Sequence, residues 1–352
     1  MKRTAFKSVL ALSAAGAVGI GCTPDTPTSS GPLGAPEAST ILAAKHAQPP
    51  ASAHLLTSGL AGSSGSAVGP GGALFVAEGA AGRISRVDPE TGEVTTFAEG
   101  LPPAIFPIGG VVDVAFLGGT AYALVSFVGP DVGGSDVVGI YRMEGPNEFS
   151  IFADLGAFNM ANPPTIEFDY DFPTGVLYAI EPYRGGFLVT DGHLNRVLHV
   201  TAQGEVSVFR AFGNTVPTGL AVAGNTVYMA EAGEVPHAPE DGKVLAFTPR
   251  STTPWEVASG APLLVDVGFG RGQTLFALAH GTWDGAFPGS SALENTGSLV
   301  RVTPDGGFVT VIDELDRPTS FQFIGNNAYV VTLTGEVWRI SNVAGPPFGS
   351  SR

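Results

Sequence analysis

Cysteine is almost missing from this chain: Cys22 is the only one in 352 residues. One cysteine excludes an internal disulfide and any Cys-based metal site, so its position is what carries information. Charge is sparse too, at 14%, and cations are scarcer than anions: 17 Lys and Arg against 32 Asp and Glu, a net charge of −15. That imbalance repels nucleic acid and anionic lipid, and suits cations or basic partners. There is no His-Glu-x-x-His, no Gly-x-Ser-x-Gly and no P-loop. The zinc-protease, nucleophile-elbow and nucleotide chemistries those motifs carry therefore have no basis in the sequence.

What is abundant is turn chemistry. The chain has 49 Gly and 28 Pro, with 44% hydrophobic residues, a β-type composition with ample material for a core. At the N-terminus Lys2, Arg3 and Lys7 precede the uncharged run Ser8–Gly21, which is too short for a comfortable span but suited to a secretory leader. The run ends at Val18-Gly19-Ile20-Gly21-Cys22. This resembles a bacterial lipobox, with Gly19 where Leu is usual, and implies cleavage after residue 21 and lipid attachment at Cys22. The alternative is an ordinary secretion signal with an incidental cysteine. Either way the chain is exported, to the cell envelope or beyond, and touches membrane only through such an anchor. Residues 22–52 are rich in Pro, Thr, Ser and Ala and read as a solvated tether, with a brief helical turn at Ile41–Ala47.

From residue 53 to 345 a four-part pattern recurs. Its clearest copy is Ser64–Leu101, with apolar runs at Leu74–Ala77, Arg83–Val87 and Val94–Ala98 separated by Gly-rich and Asp-Pro turns. Further copies start at Val111, Val176, Gly219, Asp266 and Pro318. The sixth runs out one strand short, before a tail at 346–352. His54–Leu60 resembles the fourth strand of the first copy, Thr95–Leu101, and supplies the missing piece. Six copies of four antiparallel strands, the last closed by an N-terminal strand, predict an all-β six-bladed β-propeller without long exposed edges.

Leu74-Phe75-Val76-Ala77-Glu78 with Gly82-Arg83-Ile84 and Arg86-Val87-Asp88, and the run Asp191-Gly192-His193-Leu194-Asn195-Arg196-Val197, resemble NHL-type propellers. Ile151–Gly156, Pro217–Val222 and Val265–Phe269 resemble the ScyD/ScyE family, although Val176-Leu177-Tyr178 stands where that family usually has Asn-Pro-Tyr. The resemblance covers about residues 53–341 and implies the fold much more than an activity.

Strand alternation places the first-to-second and third-to-fourth links on one face, where they are short apart from a looser link at Glu181–Arg184 in the third copy. The opposite face carries the long segments 128–137, 156–172, 231–242 and 279–297. Long loops on a rigid scaffold are where binding surfaces are usually built, so function is expected on that face. The same register sends five carboxylates to its mouth: Asp113 and Asp266 from first strands, and Glu78, Asp191 and Glu231 from second-strand ends. Glu167, Asp169 and Asp171 lie in a loop on the same face. A negative funnel suits a cation or a basic ligand.

A structural role competes with this at each position. Glu78 with Arg83, and Asp191 with Arg196, have the spacing of local ion pairs or turn hydrogen bonds; Asp113 and Asp266 can accept N–H bonds from a neighbouring blade. Glu231 has no Arg five residues on and reads as the free acid. His280, with Trp283 and Asp284 just beyond, adds a polar group that titrates near neutrality; His237 and His193 occupy nearby loops. The expected ligand residues are thus Asp113, Asp266, Glu231, His280 and Trp283, with Asp113 and Asp266 as candidate ligands for a channel Ca²⁺. Lactonase-type propellers hold a metal with Glu, Asn and Asp; the comparable ring here is Gly65, Asp113, Tyr178 (or Gly175), Gly219, Asp266 and Ser320, with two acids and no Asn. The expectation is non-catalytic binding of a small molecule or envelope protein, and the alternative is a metal-dependent, lactonase-like hydrolase.

Overall fold

The computed structural model describes residues 50–165, 172–287, 289–343 and 345. The leader, Cys22 and most of the tether lie outside them, as do Glu167, Asp169 and Asp171. Six four-stranded antiparallel sheets form six blades. The first holds β2 (Ser63–Val68), β3 (Leu74–Glu78), β4 (Arg83–Val87) and β5 (Val94–Ala98); the second holds β6 (Gly110–Leu117), β7 (Thr120–Ser126), β8 (Gly139–Gly145) and β9 (Glu148–Asp154). Blade three is β10 (Leu177–Tyr183), β11 (Gly186–Asp191), β12 (Arg196–Val200) and β13 (Val206–Ala211), and blade four is β14 (Pro217–Ala223), β15 (Thr226–Glu231), β16 (Lys243–Phe247) and β17 (Trp255–Ser259). Blade five comprises β18 (Leu264–Phe269), β19 (Leu275–Ala279), β20 (Gly297–Val302) and β21 (Phe308–Leu315). Blade six joins β22 (Pro318–Ile324), β23 (Asn327–Thr332) and β24 (Val337–Ser341) to β1 (Ser52–Thr57). The expected closure is present, in the register Ser52↔Ser341 to Leu55↔Trp338.

Burial follows strand position. Second strands are covered on both faces by neighbouring blades, so β3, β11 and β19 are buried end to end and read as apolar runs, the first two ending in the acids Glu78 and Asp191. Fourth strands form the rim, and β1, β5 and β9 are mostly exposed. The core is accordingly a ring of layers between blades. One cluster joins blades one to three through Phe75, Tyr122 and Phe187, and another joins blades six and one through Tyr329, Val337 and Leu74. Edge-to-face rings such as Phe75–Phe116 (4.7 Å) lock adjacent sheets. Two innermost strands begin at proline, Pro217 and Pro318, the strand position where a missing N–H costs least.

One element departs from the expectation. Residues 156–161 of the segment read as a long loop fall in α1 (Leu155–Ala161), whose first turn is capped by the Asp154 carboxylate accepting the Ala157 N–H at 2.8 Å. Two turns are too few to show a helical period in sequence. Among the described residues no helix is long and apolar enough to cross a membrane.

Candidate functional site

All six innermost strands break register at the same level. The shifts fall at Ser63/Ser66, Val111/Asp113, Leu177/Ile180, Pro217/Leu220, Leu264/Asp266 and Pro318/Ser320. A bulge re-aims side chains and disturbs the local ladder, and two carboxylates answer it. Asp113 accepts the Val114 N–H at 2.8 Å and, across the blade boundary, the Ile180 N–H at 2.9 Å. Asp266 does the same with Val267 (2.8 Å) and Phe321 (2.9 Å). The two sites repeat each other across the six-blade ring. Each Asp also occupies space that a side chain on the preceding blade would need: a Cβ on Gly65 would fall on Asp113, and one on Gly219 on Asp266. The structural reading of these acids is therefore correct. They tie blade two to three and blade five to six.

They also line a cavity. Tyr178 reaches from blade three to the opposite blade six, where its hydroxyl donates to the Thr319 carbonyl at 3.3 Å. Below this crossbar lies a cavity of about 260 Å³ in the channel. Its wall includes every member of the predicted ring: Gly65, Asp113, Tyr178, Gly219, Asp266 and Ser320. The lining continues to Val68, Phe116, Pro182 and Gln322, near the ends of first strands, and omits the strand starts at Ser63, Gly110, Pro217 and Pro318. The cavity thus lies toward the face of the short links. Loop length, by contrast, points to the opposite face.

The cavity holds a further acid that is not among the residues expected from the sequence. Glu181 lines it within β10, whereas the sequence suggested a loose turn at 181–184. The turn is really Arg184-Gly185, with Arg184 at φ 49° and Gly185 at φ 83°, closing the pair Tyr183↔Gly186. No Lys, Arg or His joins the described lining. Burial pushes Glu181 up to about 8, with Asp266 adding to it. Burial also raises Asp266 to about 7 against the pull of its two N–H bonds, and raises Asp113 well above the ordinary range, where Asp266 and Glu181 add repulsion. The Tyr178 hydroxyl is likewise raised by burial and the same two aspartates.

The other expected residues do not converge on this site. Glu78 is fully buried and held by Arg83 Nε and Nη2 (2.8 Å each), Ser85 and the Ala61 N–H. Burial alone would raise its carboxyl; these partners hold it below the usual value. Asp191 accepts from Asn159, Val176 and Leu194, and Arg196 reaches Asn159 Oδ1 (2.7 Å), so the amide links acid to base. Glu231 is not isolated. It pairs in register with Lys243 at the start of β16, the place Arg83 and Arg196 hold in their blades; the longer link in blade four hides that equivalence in sequence. Burial raises Glu231 to about 7, opposed first by Lys243. His280 engages the Pro318 carbonyl through Nδ1 at 2.9 Å and seals blade five to six, burial keeping its pKa down. Trp283 donates to Ser290 and meets His237 edge-on at 5.4 Å; His193 accepts the Phe172 N–H. Neither Glu231, His280 nor Trp283 lines the cavity.

A calcium cage does not fit these residues. Each Asp113 and Asp266 oxygen already accepts a backbone N–H, and among the described residues no group of three or more His, Cys, Asp or Glu is placed to hold a metal ion.

The class is defined by this geometry: a six-bladed β-propeller with an acid-lined channel. Solved structures similar to this chain share the fold. A gluconolactonase from Xanthomonas campestris is 14% identical, with 85% of this chain and 92% of that chain covered at a TM-score of 0.58. The PQQ-bound aldose sugar dehydrogenase from Streptomyces coelicolor is 15% identical, covering 84% and 99%, at 0.55. A luciferin-regenerating enzyme is 10% identical, covering 85% and 97%, at 0.58. No protein-family model matches the chain, and no curated protein sequence matches it.

Proposed function

We propose that this chain is an exported, envelope-tethered propeller of the ScyD/ScyE kind that binds a small polar molecule in its central channel. The observation that carries the reading is the cavity itself: about 260 Å³, lined by Tyr178 and three carboxyls, with the Gln322 amide, hydroxyls and apolar side chains making up the rest of the wall. A concave site with a few convergent polar groups and displaced pKa values is the default place to look for a ligand. The leader and Cys22 support the export and anchoring, and the motifs at 151–156, 217–222 and 265–269 support the family reading. The long-loop face, where Ile105, Phe106 and Phe287 are exposed, is the surface left for an envelope protein. The channel reading is tested by a thermal-shift screen of small metabolites on the purified chain beside Val68→Trp, which narrows the rim of the cavity. A hit abolished by that variant supports the channel; hits indifferent to it place the site elsewhere.

A hydrolytic reading is favoured by one feature, carboxyls whose raised pKa values let them exchange protons near neutrality, the requirement for general acid–base work. It accords with the lactonase named among the fold neighbours. We carry it without a metal, because the donor set does not fit one. Acid release from glucono-δ-lactone in a pH-stat, lost in Glu181→Gln, would establish it.

A further inference from the structure

We propose that the channel ligand is a compact organic cation, an amine of a few heavy atoms whose charge sits on Glu181 between Asp113 and Asp266. The inference rests on the channel-binding reading and adds the chemical class. Charge comes first: three carboxyls line the cavity, and no Lys, Arg or His among the described residues does. An anionic or strongly acidic ligand meets only repulsion there.

The carboxyls are not equivalent. Asp113 and Asp266 each have both oxygens engaged by backbone N–H groups. Glu181 is half-buried on the cavity wall and has no hydrogen-bond or ion-pair partner among the described residues. A carboxylate that faces the cavity with no protein donor is open to one from a ligand, and a charged donor makes the stronger bond. Size decides between an ion and a molecule. At roughly 30 Å³ of liquid volume per water, the cavity holds about eight or nine waters, far more than a bare cation needs. The walls agree, since Val68, Leu220 and Val265 offer contact to a short hydrocarbon, and the Tyr178 and Phe116 rings suit an ammonium group.

The test is isothermal titration of the full chain at about pH 8 with 1,4-diaminobutane, choline and ethanolamine, beside glucose, glucono-δ-lactone and calcium chloride, each to about 10 mM so that millimolar affinities register. The expected result is that at least one amine binds, that Glu181→Gln weakens it about tenfold or more, and that Val68→Trp weakens it as well. A neutral sugar or lactone whose binding falls in Val68→Trp but not in Glu181→Gln, with the amines silent, keeps the channel reading and overturns the cation. Calcium binding with silent amines also overturns it. Amine binding that ignores both substitutions overturns the inference and the channel reading together, and no binding by any probe overturns the inference. Circular dichroism of both variants confirms that each loss is measured on a folded propeller.

Discussion

Replacing Glu181 by Gln should make the protein more stable in alkali, the reverse of what losing a buried acid usually does. The sign follows from linkage. The carboxyl titrates at about 8 in the folded chain against a usual 4.5, so between those values the unfolded chain has released its proton while the folded chain keeps it. Stability therefore falls as pH rises through that window and levels off above it. At about 1.36 kcal/mol per pH unit the ceiling is near 5 kcal/mol; relaxation and water reaching the cavity reduce this to about 2 kcal/mol. Gln is nearly isosteric and leaves no broken partner, because Glu181 has none among the described residues. Urea unfolding of the ligand-free chain, followed by tryptophan fluorescence at about pH 5, 7 and 9, measures the effect. The wild type should lose stability from about pH 5 to 9, and the variant should lose less, with the gap closing near about pH 4. Some slope persists, since Asp113 and Asp266 are shifted in the same direction. Parallel pH profiles for the two proteins would refute the buried-acid account of the cavity.

Other substitutions probe the frame. Gly65→Ala and Gly219→Ala should each cost about 1–3 kcal/mol of unfolding free energy by pressing on an aspartate latch, whereas Gly118→Ala, which meets open space, should owe its cost to backbone strain alone; chemical denaturation compares them. Glu78→Gln removes the charge that Arg83 pairs with and, since 34% of the Arg83 side chain is exposed, should cost about 1–3 kcal/mol at neutral pH. Its depressed carboxyl works in the opposite direction to Glu181: its stabilisation is present above the usual carboxylate range and lost as pH falls below it, so the variant's deficit should vanish in strong acid. Tyr178→Phe removes one crossbar hydrogen bond and should cost about 0.5–1.5 kcal/mol with the propeller intact by circular dichroism. Truncation through Thr57 removes β1 and bares β24; lowered Tm and association in light scattering are the expected results.

The blades were legible in the sequence because each is a repeat of alternating turns and apolar runs, and the spare strand near His54 had only one vacancy to fill. The ring around the channel was legible for the same reason: counting from each copy's start lands on Gly65, Asp113, Tyr178, Gly219, Asp266 and Ser320. What the sequence obscured was depth along the channel. Loop length pointed to the long-loop face, but nothing in the spacing shows that Tyr178 spans the channel to Thr319 and puts the cavity on the other side. Glu181 was hidden by the following Pro182, which looks like a turn but ends a strand. Glu231 looked free because Lys243, which stands opposite it in the ladder, lies beyond a long link in sequence. His280 and Trp283 are neighbours in sequence, yet one seals a blade boundary and the other packs against His237.

The central claim is that the channel cavity, rather than the long-loop face, is where this propeller binds its ligand. A crystal structure of the full chain soaked in 1,4-diaminobutane addresses it directly. The account predicts ligand density beneath Tyr178, with an ammonium against Glu181. An empty channel with density instead among the loops that carry His237 and Trp283 would contradict it.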